Sequence, residues 1–218
     1  MQAGPIISRV RTTLIDPTAI RWTDAELYAW LSDGQRTIST LSPSSCALVG
    51  PVGLVAGTRQ QLPAPGTIVL AGYRNVSGRA IRVAERELFD AYRPNWHFDP
   101  ATTVVTNWLF DPNSPEIFYV YPPNTGAGVV EMQYAVEPAD VYTATDNLAL
   151  DSMYEVALFD FVMYRALQKD DDFATAAQAD NYHKMFRELV TAADAVSDTS
   201  NPNIAMTGFA ASSREAAK

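Results

Sequence analysis

From Asp151 to Lys169 the sequence is apolar on nearly every side of a helix. Met153, Val156, Ala157, Phe161, Tyr164 and Leu167 follow one face, and Leu158, Phe159, Val162 and Met163 cover much of the rest. Burying a large apolar side chain is worth about 1.5–3 kcal/mol, so a helix of this kind is not stable in water. It belongs in the centre of other helices, with Asp151 as its expected N-cap.

The rest of the chain supplies the helices to cover it. Gly4-Pro5 opens a first helix with proline where its missing N–H costs nothing; Ile6, Ile7, Val10 and Leu14 share one face, and Pro17 stops it. Thr23 with Glu26 three residues on makes a capping box, and Trp22 ahead of the cap can pack on Leu27 as a staple. Leu27, Trp30, Leu31, Ile38 and Leu41 then keep helical spacing, predicting a helix over 24–41, although Gly34 weakens it by about 1 kcal/mol relative to Ala. A last long helix is predicted over 172–196, striped by Tyr182, Met185, Phe186, Leu189, Ala193 and Val196.

Between 44 and 137 the pattern changes to short β-branched and aromatic segments between turns. Candidate strands are 59–62, 67–73, 80–83, 103–110, 116–121 and 129–136, with a short helix at 84–92 ended by Pro94. Asp111–Pro115 and Pro122–Gly128 are short connectors, which predicts that they join the last three strands as antiparallel hairpins. The expected fold is α+β: an antiparallel helical bundle built from the N- and C-terminal helices (1–43 and 138–197), with an inserted antiparallel β module at 44–137. Residues 198–218, rich in Ser, Thr, Asn and Ala, read as a flexible C-terminal tail whose anchors are Ile204, Met206 and Phe209.

Charge excludes some functions. Of the net charge of -9, the residues after 137 carry -7, from six basic against thirteen acidic side chains. A surface that grips duplex phosphates is not expected there. The basic residues are thirteen Arg and three Lys, a bias that suits protein interfaces and equally suits a GC-rich genome. Cys46, the one cysteine, lies in an apolar run and reads as a buried side chain, so no internal disulfide and a reducing site of synthesis are expected. The N-terminus has only Ile6-Ile7 ahead of Arg9 and Arg11, and no run approaches the ~20 apolar residues of a membrane span. No membrane partner and no usual secretion signal are expected.

The search for chemistry returns little. His97 and His183 lie outside any nucleophile motif. Asp170, Asp171 and Asp172 lack the Gly and distal Glu of a calcium loop and suit the first turn of a helix. Gly50, Gly53 and Gly57 fit no phosphate loop. Asp160, if buried, needs a partner such as Arg9, Arg11 or Arg36; a partly exposed position is the other reading. Arg59, Tyr73, Arg74, Arg79, Arg82, Arg86, Tyr92, Arg93 and Trp96 offer a nucleic-acid platform, but Glu85, Glu87 and Asp90 interleave with them and favour packing or subunit contact. No cofactor and no metal are expected. Glu116 and Glu131, read as lying on paired strands, are the carboxylates a hydrolase would use.

Three stretches carry a resemblance. They are Trp22-Thr-Asp-Ala-Glu-Leu-Tyr-Ala-Trp-Leu-Ser-Asp-Gly-Gln-Arg36, Phe118-Tyr-Val-Tyr-Pro-Pro123 with Val129-Val-Glu-Met-Gln-Tyr134, and Tyr154 to Asp170 with Ala176, Tyr182 and Phe186 beyond. Together they resemble the tail tubular protein A type of head-to-tail adaptor of short-tailed bacteriophages. The resemblance implies a structural, non-enzymatic virion protein of the tail or neck, assembled in the host cytoplasm. It implies a ring of twelve copies under the portal protein that continues the DNA channel and carries the tail nozzle, with tail fibres as a further partner. Double-stranded DNA would pass an acidic lumen, assigned to Asp170, Asp171 and Asp172, without sequence-specific binding. Ile204, Met206 and Phe209 would anchor the tail on the portal. A phage-associated enzyme with a carbohydrate-binding β module, or another neck or tail-completion protein, is the alternative.

Overall fold

The computed structural model describes residues 1–169 and 173–199. Within them the chain is mixed α+β, with five α-helices and two β-sheets. It divides into two compact units, Met1–Ser42 with the chain from Ala139 onward, and Pro43–Pro138.

In the first unit, helix α1 spans Ala3–Leu14, α2 Asp24–Leu41, α4 Glu155–Gln168 and α5 Phe173–Thr199. α4 packs against α1, α2 and α5. Its buried apolar residues occupy most of its circumference: Ala157, Leu158, Phe161, Val162, Met163, Ala166 and Leu167. Phe161 meets Phe186 of α5 edge-on, with ring centroids 5.1 Å apart. Gly34 of α2 is explained here, because a Cβ at that position would lie 3.0 Å from Phe161 and 3.1 Å from Leu158. The residue that weakens the helix alone is what lets α2 approach α4.

The helix starts follow local chemistry. Thr23 and Glu26 form the reciprocal capping box. Trp22 is buried and its Nε1 donates to the carbonyl of Ala166 at 2.9 Å. Asp151 accepts from Ser152 N–H at 2.7 Å, but the first turn, Ser152–Tyr154, is a 3-10 helix and α4 begins only at Glu155. The segment returning from the β unit is held by polar groups inside α2: Gln35 Oε1 accepts from Ala149 N–H at 2.9 Å and Ser32 Oγ from Val141 N–H at 3.0 Å. It in turn satisfies the first donors of α1, with Ala3 and Gly4 N–H both 3.0 Å from the carbonyls of Asp146 and Ala144.

The second unit contains β1 (Ala47–Gly53), β2 (Ala56–Gln61), β3 (Gly66–Asn75), β4 (Arg82–Ala84), β5 (Asn107–Phe110), β6 (Ile117–Thr125), β7 (Val129–Val136) and α3 (Arg86–Tyr92). One sheet has the order β1-β7-β3 and the other β2-β6-β5-β4. The core lies between them, built around Val52, Val69, Trp108, Phe118, Val130 and Met132.

Three expectations fail in this unit. β5 and β6 do form the expected hairpin, but β6 and β7 do not pair at all: β6 pairs with β2 and β5, and β7 with β1 and β3. Gly126–Gly128 therefore carries the chain from one sheet to the other. Asn124 fixes the switch, its Oδ1 accepting from Gly126 N–H at 2.8 Å and Gly128 N–H at 3.1 Å. Gly126, at φ 93°, occupies a conformation that side chains disfavour. The module is also not wholly antiparallel, since β4 runs parallel to β5 after the long connection through α3. Finally, β1 lies where no strand is among the candidates; Pro51 is tolerated because β1 is an edge strand.

Candidate assembly surfaces

In the β unit, alternation along β6 sends Phe118 and Val120 into the core and leaves Ile117, Tyr119 and Tyr121 on the opposite face. The segment from α3 to Phe98 packs onto that face. Phe89 meets Tyr121 edge-on at 5.0 Å, and Trp96 meets Tyr119 at 6.2 Å. The Arg86 guanidinium lies 4.8 Å above the Tyr119 ring and that of Arg93 5.3 Å above Tyr121. Arg86 is also paired with Asp111 at 2.9 Å and Arg93 with Asp99 at 3.3 Å. Trp96 is fully buried, donating from Nε1 to Asp90 at 2.8 Å. Tyr121 donates its hydroxyl to Asp99 at 2.9 Å, and burial together with that bond pushes the hydroxyl above its ordinary pKa.

This geometry takes most of these residues out of a base-stacking platform. Such a platform needs open ring faces and unspent cations. Trp96 offers no face, Tyr73 donates to Gln133 at 2.7 Å, and Arg74, Arg86 and Arg93 are committed to carboxylates. Arg59, Arg79, Arg82 and Tyr92 remain exposed.

One stretch of exposed apolar surface in this unit lies at β4 and α3. Val83 is 67% exposed, and α3 presents Leu88 and Tyr92, one turn apart, at 53% and 86%. A groove of about 520 Å³ runs between Val83, Leu88, Phe89 and Tyr92, and one of about 510 Å³ between Val83, Gly72, Trp108 and Phe110. Sequence reasoning missed this site. The spacing of Leu88 and Tyr92 on a short helix was its only signal, and which strand lay at the edge was not legible.

The helical unit has its own exposed apolar feature. α1 ends on Ile15 in the left-handed conformation, φ 55°, which is unusual for a β-branched residue. Ile15 is 87% exposed and Ile20 84%. The loop between them is rigidly held. Asp16 accepts from the N–H groups of Ile20, Arg21 and Trp22 at 3.0, 3.1 and 3.0 Å, which lowers its pKa, with the Trp22 bond the largest cause. Arg11 donates to the carbonyls of Asp16 and Trp22 at 3.1 and 3.2 Å. Beside the loop lies an apolar cleft of about 560 Å³ lined by Ile7, Ile15, Pro17 and Tyr28.

The residues singled out for chemistry are not brought together. His97 bonds Thr58 through Nδ1 at 2.7 Å and stacks on Trp96, while His183 stacks on Tyr164. Glu116 and Glu131 do not lie on paired strands: Glu116 precedes β6, and Glu131 belongs to β7 in the other sheet. Arg74 Nε donates to Glu131 at 2.7 Å and holds its carboxyl below the ordinary range. Asp160 is buried, but none of the expected arginines bonds it. Arg9 pairs with Glu155, Arg11 with Asp24 and Arg36 with Asp140, leaving Asp160 Oδ2 without a hydrogen-bond partner. Desolvation pushes Asp160 up to about 6, against the pull of the Arg9 charge. Among the described residues no cluster of His, Cys, Asp and Glu could hold a metal ion, and no helix is long and apolar enough to cross a membrane. Asp170, Asp171, Asp172, Ile204, Met206 and Phe209 lie outside the described residues.

No curated protein matches the chain. The model of the SU10 adaptor protein family matches residues 1–206. The chain belongs to the SU10 adaptor family. It is thus of a phage adaptor family, a structural component of the virion. As an SU10 adaptor it is expected to present surfaces to other virion proteins, and the apolar features around Ile15 and around Val83 are the candidates.

Proposed function

We propose that this SU10 adaptor forms a closed ring of twelve copies beneath the portal protein of a short-tailed phage, continuing the DNA channel and carrying the tail nozzle, with tail fibres attached in addition. In this reading the terminal helices, 1–43 and 138–197, make an antiparallel bundle that docks under the portal, and the inserted module, 44–137, faces the nozzle. The tail, 198–218, anchors on the portal through Ile204, Met206 and Phe209. Asp170, Asp171 and Asp172 line a lumen along which DNA slides without sticking. The ring assembles in the host cytoplasm and stays in the neck of the virion.

The observation that carries this reading, beyond family membership, is that each unit exposes its own, different apolar feature: Ile15 and Ile20 on one, and Val83, Leu88 and Tyr92 on the other. A chain passing between two partners needs two different docking surfaces, one for each. Rigid support of the Ile15–Ile20 loop lowers the ordering cost of docking there. Native mass spectrometry of the protein with the portal protein of the same phage tests the proposal. A stoichiometric ring on the portal is expected; a monomer indifferent to the portal would overturn it.

A further inference from the structure

β3 and β4 leave the turn at Asn75–Ala80 together, joined by Ile81 N–H to the Tyr73 carbonyl at 3.0 Å, and then diverge into different sheets. Both are edge strands, so a seam opens between them. We infer that this seam receives an extended strand of the tail protein beneath the adaptor, its backbone pairing with β4 and its alternate side chains entering the grooves on the two faces of β4. The inference rests on the adaptor reading for the identity of the partner.

Two features fit a strand in shape, and a third sets its charge. Arg82 N–H donates to the Thr106 carbonyl on the β5 side at 3.0 Å, so the N–H and carbonyl of the next residue, Val83, turn outward, where no strand of the described residues pairs with them. The grooves lie on opposite faces of the sheet. Val83 shares the face of Trp108 and Phe110, whereas Ala84 shares the face covered by Leu88 and Phe89. Successive residues of a strand added at β4 point to alternate faces and reach both grooves. A helix laid along α3 would fill one groove and leave the Val83 backbone unpaired. Third, Arg79 and Arg82, flanking the seam, have exposed side chains with no ion pair or side-chain hydrogen bond among the described residues, unlike Arg74, Arg86 and Arg93. The incoming strand is therefore alternately apolar and carries a carboxylate at its flank. Gly72 lets Ile81 and Trp108 pack directly against β3 at the closed end of the seam, since a Cβ there would lie 2.9 Å from each.

The test uses the full chain with the recombinant nozzle protein of the same phage as probe, and the portal protein as a separate control. Val83→Pro removes the outward N–H, and Leu88→Glu charges one groove at an exposed position. Each is expected to weaken nozzle binding at least tenfold while leaving the ring on the portal intact, and hydrogen exchange at the Val83 amide of the wild type is expected to slow at least tenfold on nozzle binding. Leu88→Glu and the exchange measurement stand even if Val83→Pro fails to fold. Nozzle binding with unchanged Val83 exchange overturns the inference and spares the adaptor reading, whereas portal binding without nozzle binding overturns the inference and the nozzle-carrying part of that reading but spares the ring on the portal. Loss of ring formation in Leu88→Glu would assign the groove to a neighbouring copy and overturn the strand assignment. A wild type that binds neither protein overturns both.

Discussion

Lys169 Nζ donates to Glu26 Oε1 at 2.7 Å while Glu26 Oε2 accepts from Thr23 N–H at 3.0 Å. One carboxylate thus closes the N-cap of α2 and ties it to the residue that ends α4. The Lys169 bond, followed by those from Thr23, pulls Glu26 down to about 2 from 4.5.

Because the folded pKa is depressed, this contribution to stability is complete above the unfolded value and is lost as pH falls from about 4.5 towards 2. Glu26→Gln is expected to lower stability at pH 7 by on the order of 1 kcal/mol, a figure reduced for the solvent screening of a partly exposed pair. The deficit should vanish near pH 2. Thr23→Ala, which removes the other half of the box, is expected to cost about 1 kcal/mol at neutral pH. Urea titrations over this pH range measure both.

Asp160 has the opposite sign. Its folded pKa is raised to about 6, so between about 4 and 6 the folded state holds a proton that the unfolded chain has released. Stability therefore falls as pH rises through that window, by roughly 1–3 kcal/mol. Asp160→Asn is expected to flatten this decline. Thermal unfolding of the two proteins from pH 4 to pH 8 checks it, and parallel curves would show that Asp160 is not the titrating group.

At Gly34 a larger side chain must displace Phe161 or Leu158, both buried in α4. Gly34→Val is expected to destabilise the fold by about 1–3 kcal/mol, although valine is a better helix former than glycine in isolation. Chemical denaturation gives the sign directly.

Asn124 is buried and holds two amides of the sheet switch. Asn124→Ala leaves Gly126 and Gly128 N–H without their acceptor and is expected to cost about 1–3 kcal/mol. Asn124→Asp keeps the acceptor and is expected to cost less. A reversed order of the two variants in denaturation would contradict this role.

The helices were legible because their signals are local. The Thr23–Glu26 box and the spacing from Leu27 to Leu41 specify α2 without reference to anything distant, and its bounds, Asp24–Leu41, coincide with those expected. The β connections are different. Pro122–Gly128 looks like a hairpin turn, yet Pro122 to Thr125 belong to β6, and β7 pairs with β1 and β3. Only long-range pairing decides which strand accepts β7. The same holds for the surfaces: the sequence shows six arginines between 44 and 137 but not that Arg74, Arg86 and Arg93 are spent on carboxylates while Arg79 and Arg82 are not. Asp160 was legible as a candidate for burial, whereas its lack of an arginine partner depended on where Glu155, Asp24 and Asp140 fall.

The central claim, that this adaptor makes a ring on the portal, is tested most directly by native mass spectrometry of the purified chain mixed with the portal protein of the same phage. The account predicts one complex with twelve adaptor copies on the portal, formed even from monomers. A chain that stays monomeric beside an unaltered portal would contradict it.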